Sequence, residues 1–378
     1  MAFAPPSPPK SALGYYRLLS PTASVRVSPL CLGGVNFGED WVDIVGSCDH
    51  NAMLDTFYEN GGNFIDTANN YQKGQSERAI GEWMAKRGVR DQMVLATKYT
   101  TCGRVGFGDK EIIINSSGNG AKSLHLSLET SLKNFQTSYI DLLYIHWWDF
   151  TTSIPELMQS LNNVIRAGKV LYIGASDTPA WIVAKANQYA RDHGLQQFSV
   201  YQGNWSAATR DFERDIIPMA MHEGMSLAPW GALGGGQFKT AEQRKTIKGR
   251  KLDEPSENIL KVCAVLQQLA EKKGTIMTSI ALAYVMHKSP YVFPIVGGRT
   301  PEQLKANIEG LSVELTKEEM DEIEGAAPFD LGFPGTMIGT SAGTSWLNDI
   351  AGYYDWVEAP KPIRGVRNSS PVKKQVLG

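Results

Sequence analysis

The sequence predicts an α/β protein folded as a single (β/α)8 barrel of the TIM type, and three observations carry that expectation. Short apolar runs recur along the 378 residues, at positions 30–34, 63–66, 94–97, 140–145, 170–174, 198–202, 226–229 and 292–296. Their hydrophobicity is continuous rather than alternating, as in strands buried on both faces. Their starts fall roughly 30 residues apart, the size of one strand–helix unit, except for a longer third interval and a much longer last one. The third observation is a missing motif. An open doubly wound sheet would carry G-x-G-x-x-G after its first strand, opening a helix. Here the turn reads Gly33-Gly34-Val35-Asn36-Phe37-Gly38, and no clear helix follows.

Between the strands lie segments with helix termini. Residues 49–60 end at Gly61-Gly62, and 76–86 end at Gly88. Residues 155–166 start behind Ser153 with Pro155 in the first turn and close at Gly168, the Pro-in, Gly-out order that helix ends prefer. The interval between the seventh and eighth strands holds a long polar, Gly-rich loop (231–257), then helices over 258–273 and 277–287. A last helix is expected near 316–324. Residues 1–27 read as an N-terminal extension, 28–327 as the barrel and 328–378 as a C-terminal extension. That tail carries Trp346, Tyr353, Tyr354 and Trp356, too aromatic for plain disorder. It is expected to pack partly over a barrel mouth, with the end from Pro360 loosely held.

Charge excludes several function classes. Lys+Arg number 37 against 39 Asp+Glu, for a formal net charge of −2, and 42% of residues are hydrophobic. A general nucleic-acid binder needs a strongly basic face, and a membrane-surface protein usually shows a polybasic segment. No run approaches the roughly 18 apolar residues of a membrane span. The start is Pro-rich without the basic-then-apolar order of a secretory signal, and the end, Gln375-Val376-Leu377-Gly378, matches no targeting signal. Cys31, Cys48, Cys102 and Cys263 have no metal-knuckle spacing and are too few for a disulfide framework. A cytoplasmic protein, monomeric or weakly self-associating, with no nucleic-acid or membrane partner, is the expectation.

In barrels the chemistry sits at the C-terminal ends of the strands. Polar residues stand at those ends in succession: Asp66, Lys98, His146, Ser176-Asp177 and Gln202, with Pro229-Trp230 ending the seventh strand. Each alone has a duller explanation. Asp66 caps a turn as readily as it catalyses; a lysine ending a strand is commonly solvated; a lone histidine is usually a hydrogen-bonded core group; Tyr71, in a polar turn, could merely pack. Together they form a coherent set. A tyrosine titrates near ~10, and an adjacent ammonium lowers that by roughly 1–3 units. Asp66 could hold Lys98, Lys98 could tune Tyr71, and His146 could orient a carbonyl oxygen. Such a site needs no metal.

These residues resemble the aldo-keto reductase family. Asn63-Phe64-Ile65-Asp66-Thr67-Ala68-Asn69-Asn70-Tyr71, with Ser76-Glu77 beyond, is similar to its signature with Asp and Tyr spaced by five. Leu95-Ala96-Thr97-Lys98 and Asp141-Leu142-Leu143-Tyr144-Ile145-His146 resemble its lysine and histidine motifs. The resemblance runs from about Leu30 to Glu324. Asp177-Thr178-Pro179-Ala180-Trp181, Ala228-Pro229-Trp230, Tyr291-Val292-Phe293-Pro294-Ile295-Val296-Gly297-Gly298-Arg299 and the aromatic tail look closest to fungal aryl-alcohol dehydrogenases and secondary-metabolite reductases of the norsolorinic acid reductase type.

The resemblance implies NADP(H)-dependent interconversion of carbonyls and alcohols, with hydride passing to the carbonyl carbon and Tyr71 donating the proton. It implies Asp66, Tyr71, Lys98 and His146 as the catalytic set. Ser176, Asp177 and Gln202 would hold the carboxamide, with Asp66 also in cofactor reach. Trp230, Gly231, Gly234, Gly235, Gly236 and Lys239 would line the cofactor, the glycines letting a loop close over the pyrophosphate. Gly298, Arg299, Gln303 and Asn307 would meet the adenosine phosphate at the helix start Thr300-Pro301-Glu302. This favours NADP(H) over NAD(H).

Two positions depart from the wider family. Asp177 stands where many members have Asn, and Leu227 aligns where many place an aromatic ring beneath the nicotinamide, with Trp230 three residues on. His146, Trp147 and Trp148 are the substrate-side candidates, with Phe150, Tyr99, Trp205, Trp346 and Tyr354 further ones, for an aromatic carbonyl or alcohol. Two alternatives stand beside this reading. One is a slow NADPH-binding redox sensor or regulatory subunit of the same fold. The other is a metal-dependent barrel hydrolase or lyase, disfavoured by the lack of H-x-H or clustered carboxylates.

Overall fold

A computed structural model describes residues 7–246 and 254–363. The first residues, part of the long loop after the seventh barrel strand and most of the stretch expected to be loosely held lie outside the described residues. An antiparallel hairpin, Arg17–Ser20 (β1) and Ala23–Val27 (β2), comes first. The barrel strands follow: Cys31–Gly33 (β3), Phe64–Asp66 (β4), Val94–Tyr99 (β5), Ile140–Ile145 (β6), Val170–Ser176 (β7), Val200–Asn204 (β8), Ser226–Trp230 (β9) and Ile295–Val296 (β10). All neighbours in the order β10-β3-β4-β5-β6-β7-β8-β9 pair in parallel. The ring closes through one bridge, Leu227 to Val292. The architecture is the (β/α)8 barrel that the spacing predicts.

Closure is reduced to a bridge for a chemical reason. Leu227 N donates to the Tyr291 carbonyl and Phe293 N to the Leu227 carbonyl. Pro229, two residues on and so facing the same neighbour, has no N–H with which to extend that ladder. On the other side, Cys31 N donates to the Pro294 carbonyl. The last strand, expected over 292–296, therefore shows a regular ladder only at its end.

Helices surround the strands. The first spans His50–Glu59, capped by Asp49, whose side chain accepts from Ala52 N. Gln75–Arg87 ends at Gly88 in the left-handed region, as the sequence requires. Ile154–Arg166 is capped by Ser153, with Pro155 in its first turn. Glu257–Lys273 and Met277–Lys288 fill the long last interval, and Lys317–Ala326 carries a capping box between Thr316 and Glu319. Among the described residues no helix is long and apolar enough to cross a membrane.

The core has two layers. Alternate strand residues point inward, so Cys31, Phe64, Val94, Ala96, Leu142, Tyr144, Val200 and Ala228 form the barrel interior, joined by Leu19, Ala23 and Val27 of the hairpin. Their neighbours Ile65, Leu95, Leu143, Ile145, Ile173, Tyr201 and Leu227 pack outward against the helices. The hairpin sits against the N-terminal ends of the strands. Thr22 donates to the Gly224 carbonyl just before β9, and Asn63, just before β4, joins Ser28 and the Arg26 carbonyl. One end of the barrel is thus plugged, which leaves the C-terminal end as the mouth.

In the C-terminal extension, Phe329 lies beneath the Arg210 and Arg214 guanidiniums. Trp346 donates to the Met337 carbonyl and Asn348 to the Tyr354 hydroxyl. Trp346, Tyr353 and Trp356 are exposed.

Candidate active site

The side-chain alternation that builds the barrel interior also builds the candidate site. Asp66 stands two residues beyond inward Phe64, Lys98 two beyond Ala96, His146 two beyond Tyr144, Gln202 two beyond Val200 and Trp230 two beyond Ala228. With a period of two, each points to the same side as its predecessor but one step nearer the mouth. Five strands thereby deliver five polar or aromatic side chains to one place.

At its centre is a buried ion pair. Lys98 Nζ donates to Asp66 Oδ1 at 2.6 Å and to the Thr67 carbonyl at 2.7 Å, and the two side chains are 0% and 4% exposed. The other carboxylate oxygen, Oδ2, accepts from Gln202 Nε2 at 2.9 Å. Burial alone would pull the Lys98 ammonium down. Asp66 beside it, with Tyr71, outweighs burial and holds it above the usual lysine value. The lysine is therefore a fixed positive charge.

Tyr71 follows on a strained turn. Gln72 and Lys73 both have positive φ, 52° and 51°, which costs a non-glycine residue free energy. Buried Gln72 holds the turn, donating to the Val35 carbonyl and accepting from Trp41 N. The Lys98 ammonium lies 5.1 Å from the centre of the Tyr71 ring. Trp41 meets the ring edge-on at 6.1 Å, and the His146 imidazole lies 5.8 Å away at 71°.

The net effect on Tyr71 differs from the expectation. Burial raises the phenol above its ordinary value, and Lys98 pulls against that without reversing it. Desolvating a phenolate costs more here than one ammonium returns. Tyr71 is therefore a neutral phenol at physiological pH. His146 is pushed the other way, down to about 3, by burial and then by Lys98; the ring is a neutral imidazole.

The residues expected at the cofactor fall into three groups. Ser176 ends β7 with its hydroxyl buried and without a hydrogen-bond partner. An orphaned buried hydroxyl beside Gln202 suits an amide ligand. Asp177 has φ 41° and accepts from Trp230 Nε1 at 3.4 Å; burial raises its carboxyl, against the indole and Lys98. Leu227 is buried in the outer layer, whereas Trp230 sits at the mouth and is 40% exposed. The aromatic ring at this strand end is thus Trp230.

Gly231, Gly234, Gly235 and Gly236 all have positive φ, between 59° and 96°. Without side chains, these positions let a loop backbone approach an anion closely; the Gly234 N–H is itself given to the Gly231 carbonyl. Lys239 follows, half-buried, on the same loop. After the neighbouring strand β10, Thr300 caps the helix Pro301–Glu309. The Arg299 N–H donates to Gln303 Oε1, and a Cβ on Gly298 would lie 3.2 Å from Gln303 Cβ. Buried Asn307 reaches back to the Gly297 carbonyl and shapes this turn from behind. The donors present fit a dinucleotide phosphate.

On the substrate side, Trp147 is 37% exposed and donates its indole N–H to Thr101 Oγ1. Trp148, expected beside it, is only 7% exposed and packs into the outer core. Tyr99 and Trp205 are also core residues: the Tyr99 hydroxyl donates to the Asn119 carbonyl, and Trp205 stacks on Phe212. Two mouth residues escaped the sequence reading, Trp41 and Thr101. Only their position on loops after barrel strands could have marked them.

The comparisons agree with this geometry. Residues 29–328 match the aldo/keto reductase family. The chain is 55% identical to norsolorinic acid reductase B of Dothistroma septosporum, over 93% of this chain and 94% of that protein. It is 52% identical to an aryl-alcohol dehydrogenase of Pestalotiopsis microspora, over 96% and 97% of the two chains. It is 45% identical to aryl-alcohol dehydrogenase (NADP+) of Phanerodontia chrysosporium, over 96% and 98%. From these matches and the barrel they describe, the chain belongs to the aldo/keto reductase family, NADP(H)-dependent oxidoreductases.

Proposed function

We propose that the protein reduces aromatic aldehydes or ketones to alcohols, and oxidises the alcohols in reverse, with Tyr71 as the proton donor. The observation that carries this reading is the buried Lys98–Asp66 pair beside Tyr71 and His146. When bound, NADPH supplies the hydride that the carbonyl carbon receives. Ser176 and Gln202 would hold its carboxamide and Trp230 its ring. The 231–236 turn and Lys239 would hold its pyrophosphate, and Arg299 with the helix start its adenosine phosphate.

The chain's own residues account for the rest. A carbonyl oxygen gaining negative charge needs a proton and donors aimed at it. Tyr71 carries that proton because burial keeps it a phenol. As the proton leaves, the Lys98 ammonium stabilises the phenolate, and Asp66 and the Thr67 carbonyl keep the ammonium in place. The neutral His146 ring can donate one hydrogen bond to the same oxygen. Trp41, Trp147 and Trp230 give the mouth aromatic walls, which favours flat aromatic substrates. The relatives named for norsolorinic acid and for aryl alcohols support the same class. The cysteines are all unpaired, as suits the reducing cytosol.

The test is NADPH consumption by the purified protein with aromatic aldehydes and ketones. Tight NADPH binding without turnover of any of them would favour a regulatory subunit of the same fold.

A further inference from the structure

Thr101 lies on no helix or strand, yet it is held from several sides. Thr100, just before it, has φ 92°, an outlier for a β-branched residue. Such strain persists only where the surroundings over-determine it, and here they do. The Thr100 carbonyl accepts from Gly118 N and the Ser117 hydroxyl, while its own hydroxyl accepts from Asn119 Nδ2 and His146 N. Asn119 is in turn locked to the loop after β6. Its backbone N–H donates to Asp149 Oδ2 and its side-chain oxygen accepts from Asp149 N, both near 2.9 Å. The Thr101 carbonyl accepts from Asn69 Nδ2 at 3.0 Å. This framework aims one hydroxyl at the imidazole: Thr101 Oγ1 lies 3.2 Å from His146 Nδ1.

Donor counting then assigns the proton. An indole N–H can only donate, and Trp147 Nε1 donates to Thr101 Oγ1 at 2.9 Å. The threonine hydroxyl has one proton and a second lone pair; among the described residues the group positioned to accept that proton is His146 Nδ1. Were Nδ1 the donor instead, the hydroxyl proton would have no protein acceptor. The pairing that uses it leaves the lone pair on Nδ1 and, in a neutral imidazole, the proton on Nε2. We propose that Thr101, oriented by the Trp147 indole, is a positioning residue that fixes His146 as the Nε2–H tautomer, so that the ring presents a donor to the substrate oxygen.

The inference rests on the reductase reading for its purpose but not for its chemistry. The opposite tautomer would turn a lone pair toward a carbonyl oxygen and repel it. The neutral state of the ring leaves the tautomer as the one variable to be set.

The experiment pairs a tautomer readout with kinetics. Protein labelled with 15N-histidine would be compared as wild type, Thr101→Ser, Thr101→Val and Trp147→Phe, with the His146 signals assigned by their loss in His146→Gln. Wild type and Thr101→Ser should show protonated Nε2 and unprotonated Nδ1. Thr101→Val, and to a lesser degree Trp147→Phe, should show a mixture. In parallel, kcat for an aromatic aldehyde should fall roughly tenfold to a hundredfold in Thr101→Val and stay within about threefold in Thr101→Ser, with NADPH affinity unchanged in both. A wild-type tautomer in Thr101→Val, or protonated Nδ1 in the wild type, would overturn the proposal. A wild type with the expected tautomer but no turnover would overturn the reductase reading instead and leave the assignment standing.

Discussion

Lys98 Nζ and Asp66 Oδ1 lie 2.6 Å apart inside the barrel, and Gln202 Nε2 holds the second Asp66 oxygen at 2.9 Å. The carboxylate is thus a junction between a fixed ammonium and the amide at the end of the next strand but three. Breaking one member of a buried pair leaves an uncompensated charge, at a cost of about 3–5 kcal/mol. Asp66→Asn should therefore lower stability by several kcal/mol as well as slow catalysis. Urea denaturation measures this; a loss below about 1 kcal/mol would mean that the pair is solvated.

The titration of the site has a definite sign. Reduction needs Tyr71 protonated, and burial raises its value above the ordinary one near ~10 despite Lys98. Burial, with Lys98, holds His146 down at about 3. Reductive kcat/KM should therefore be level from roughly pH 5 to pH 9 and fall only in more alkaline solution. Alcohol oxidation, which needs the phenolate, should instead rise with pH. An acid limb near the ordinary histidine value of ~6.5 would show that His146 titrates normally.

Arg299 offers a test of cofactor choice. Arg is shaped for phosphate, and its side chain packs near Gly46 on the loop after β3. Arg299→Ala should weaken NADPH binding by about tenfold or more, since a hydrogen bond to a charged group contributes about 1.5–3 kcal/mol. NADH binding should change little. Titration of protein fluorescence with both nucleotides would reveal it; equal losses would place Arg299 away from the adenosine phosphate.

Behind the site, buried Glu77 accepts from the Thr97 and Ser131 hydroxyls and from Asn134 Nδ2. It fastens the helix Gln75–Arg87, and with it the Tyr71 turn, to β5 and the next helix. Glu77→Leu strands three donors and should cost about 3 kcal/mol or more. Glu77→Gln should cost less than about 1.5 kcal/mol, because its oxygen still accepts from both hydroxyls and Asn134 can turn its amide. Denaturation midpoints of the two variants separate these outcomes, and equal losses would contradict the account.

The legible parts of this molecule share one physical cause. Strands buried on both faces must be apolar throughout, so their runs stand out; the polar residues that interrupt them at Asp66, Lys98, His146 and Gln202 stand out equally. What was not legible depends on neighbours remote in sequence. The hairpin Arg17–Val27 carries Arg17 and Arg26 and leaves Leu18, Ser24 and Arg26 exposed, so it gave no continuous apolar run. The choice between Leu227 and Trp230 turned on which face β9 presents inward. Trp148 and Trp147 are adjacent yet serve core and mouth, because the chain turns between them. The rise in Tyr71 needed the depth of burial, which spacing does not encode. Thr101 reads as an ordinary loop residue until the fold brings His146 and Trp147 to it.

The most direct test of the central claim compares wild type with Tyr71→Phe in NADPH-dependent reduction of aromatic aldehydes, with NADPH affinity measured alongside. The account predicts that kcat falls by roughly 10²–10⁴-fold while NADPH affinity holds. Turnover undiminished in Tyr71→Phe would contradict it, because the proton would then come from another group.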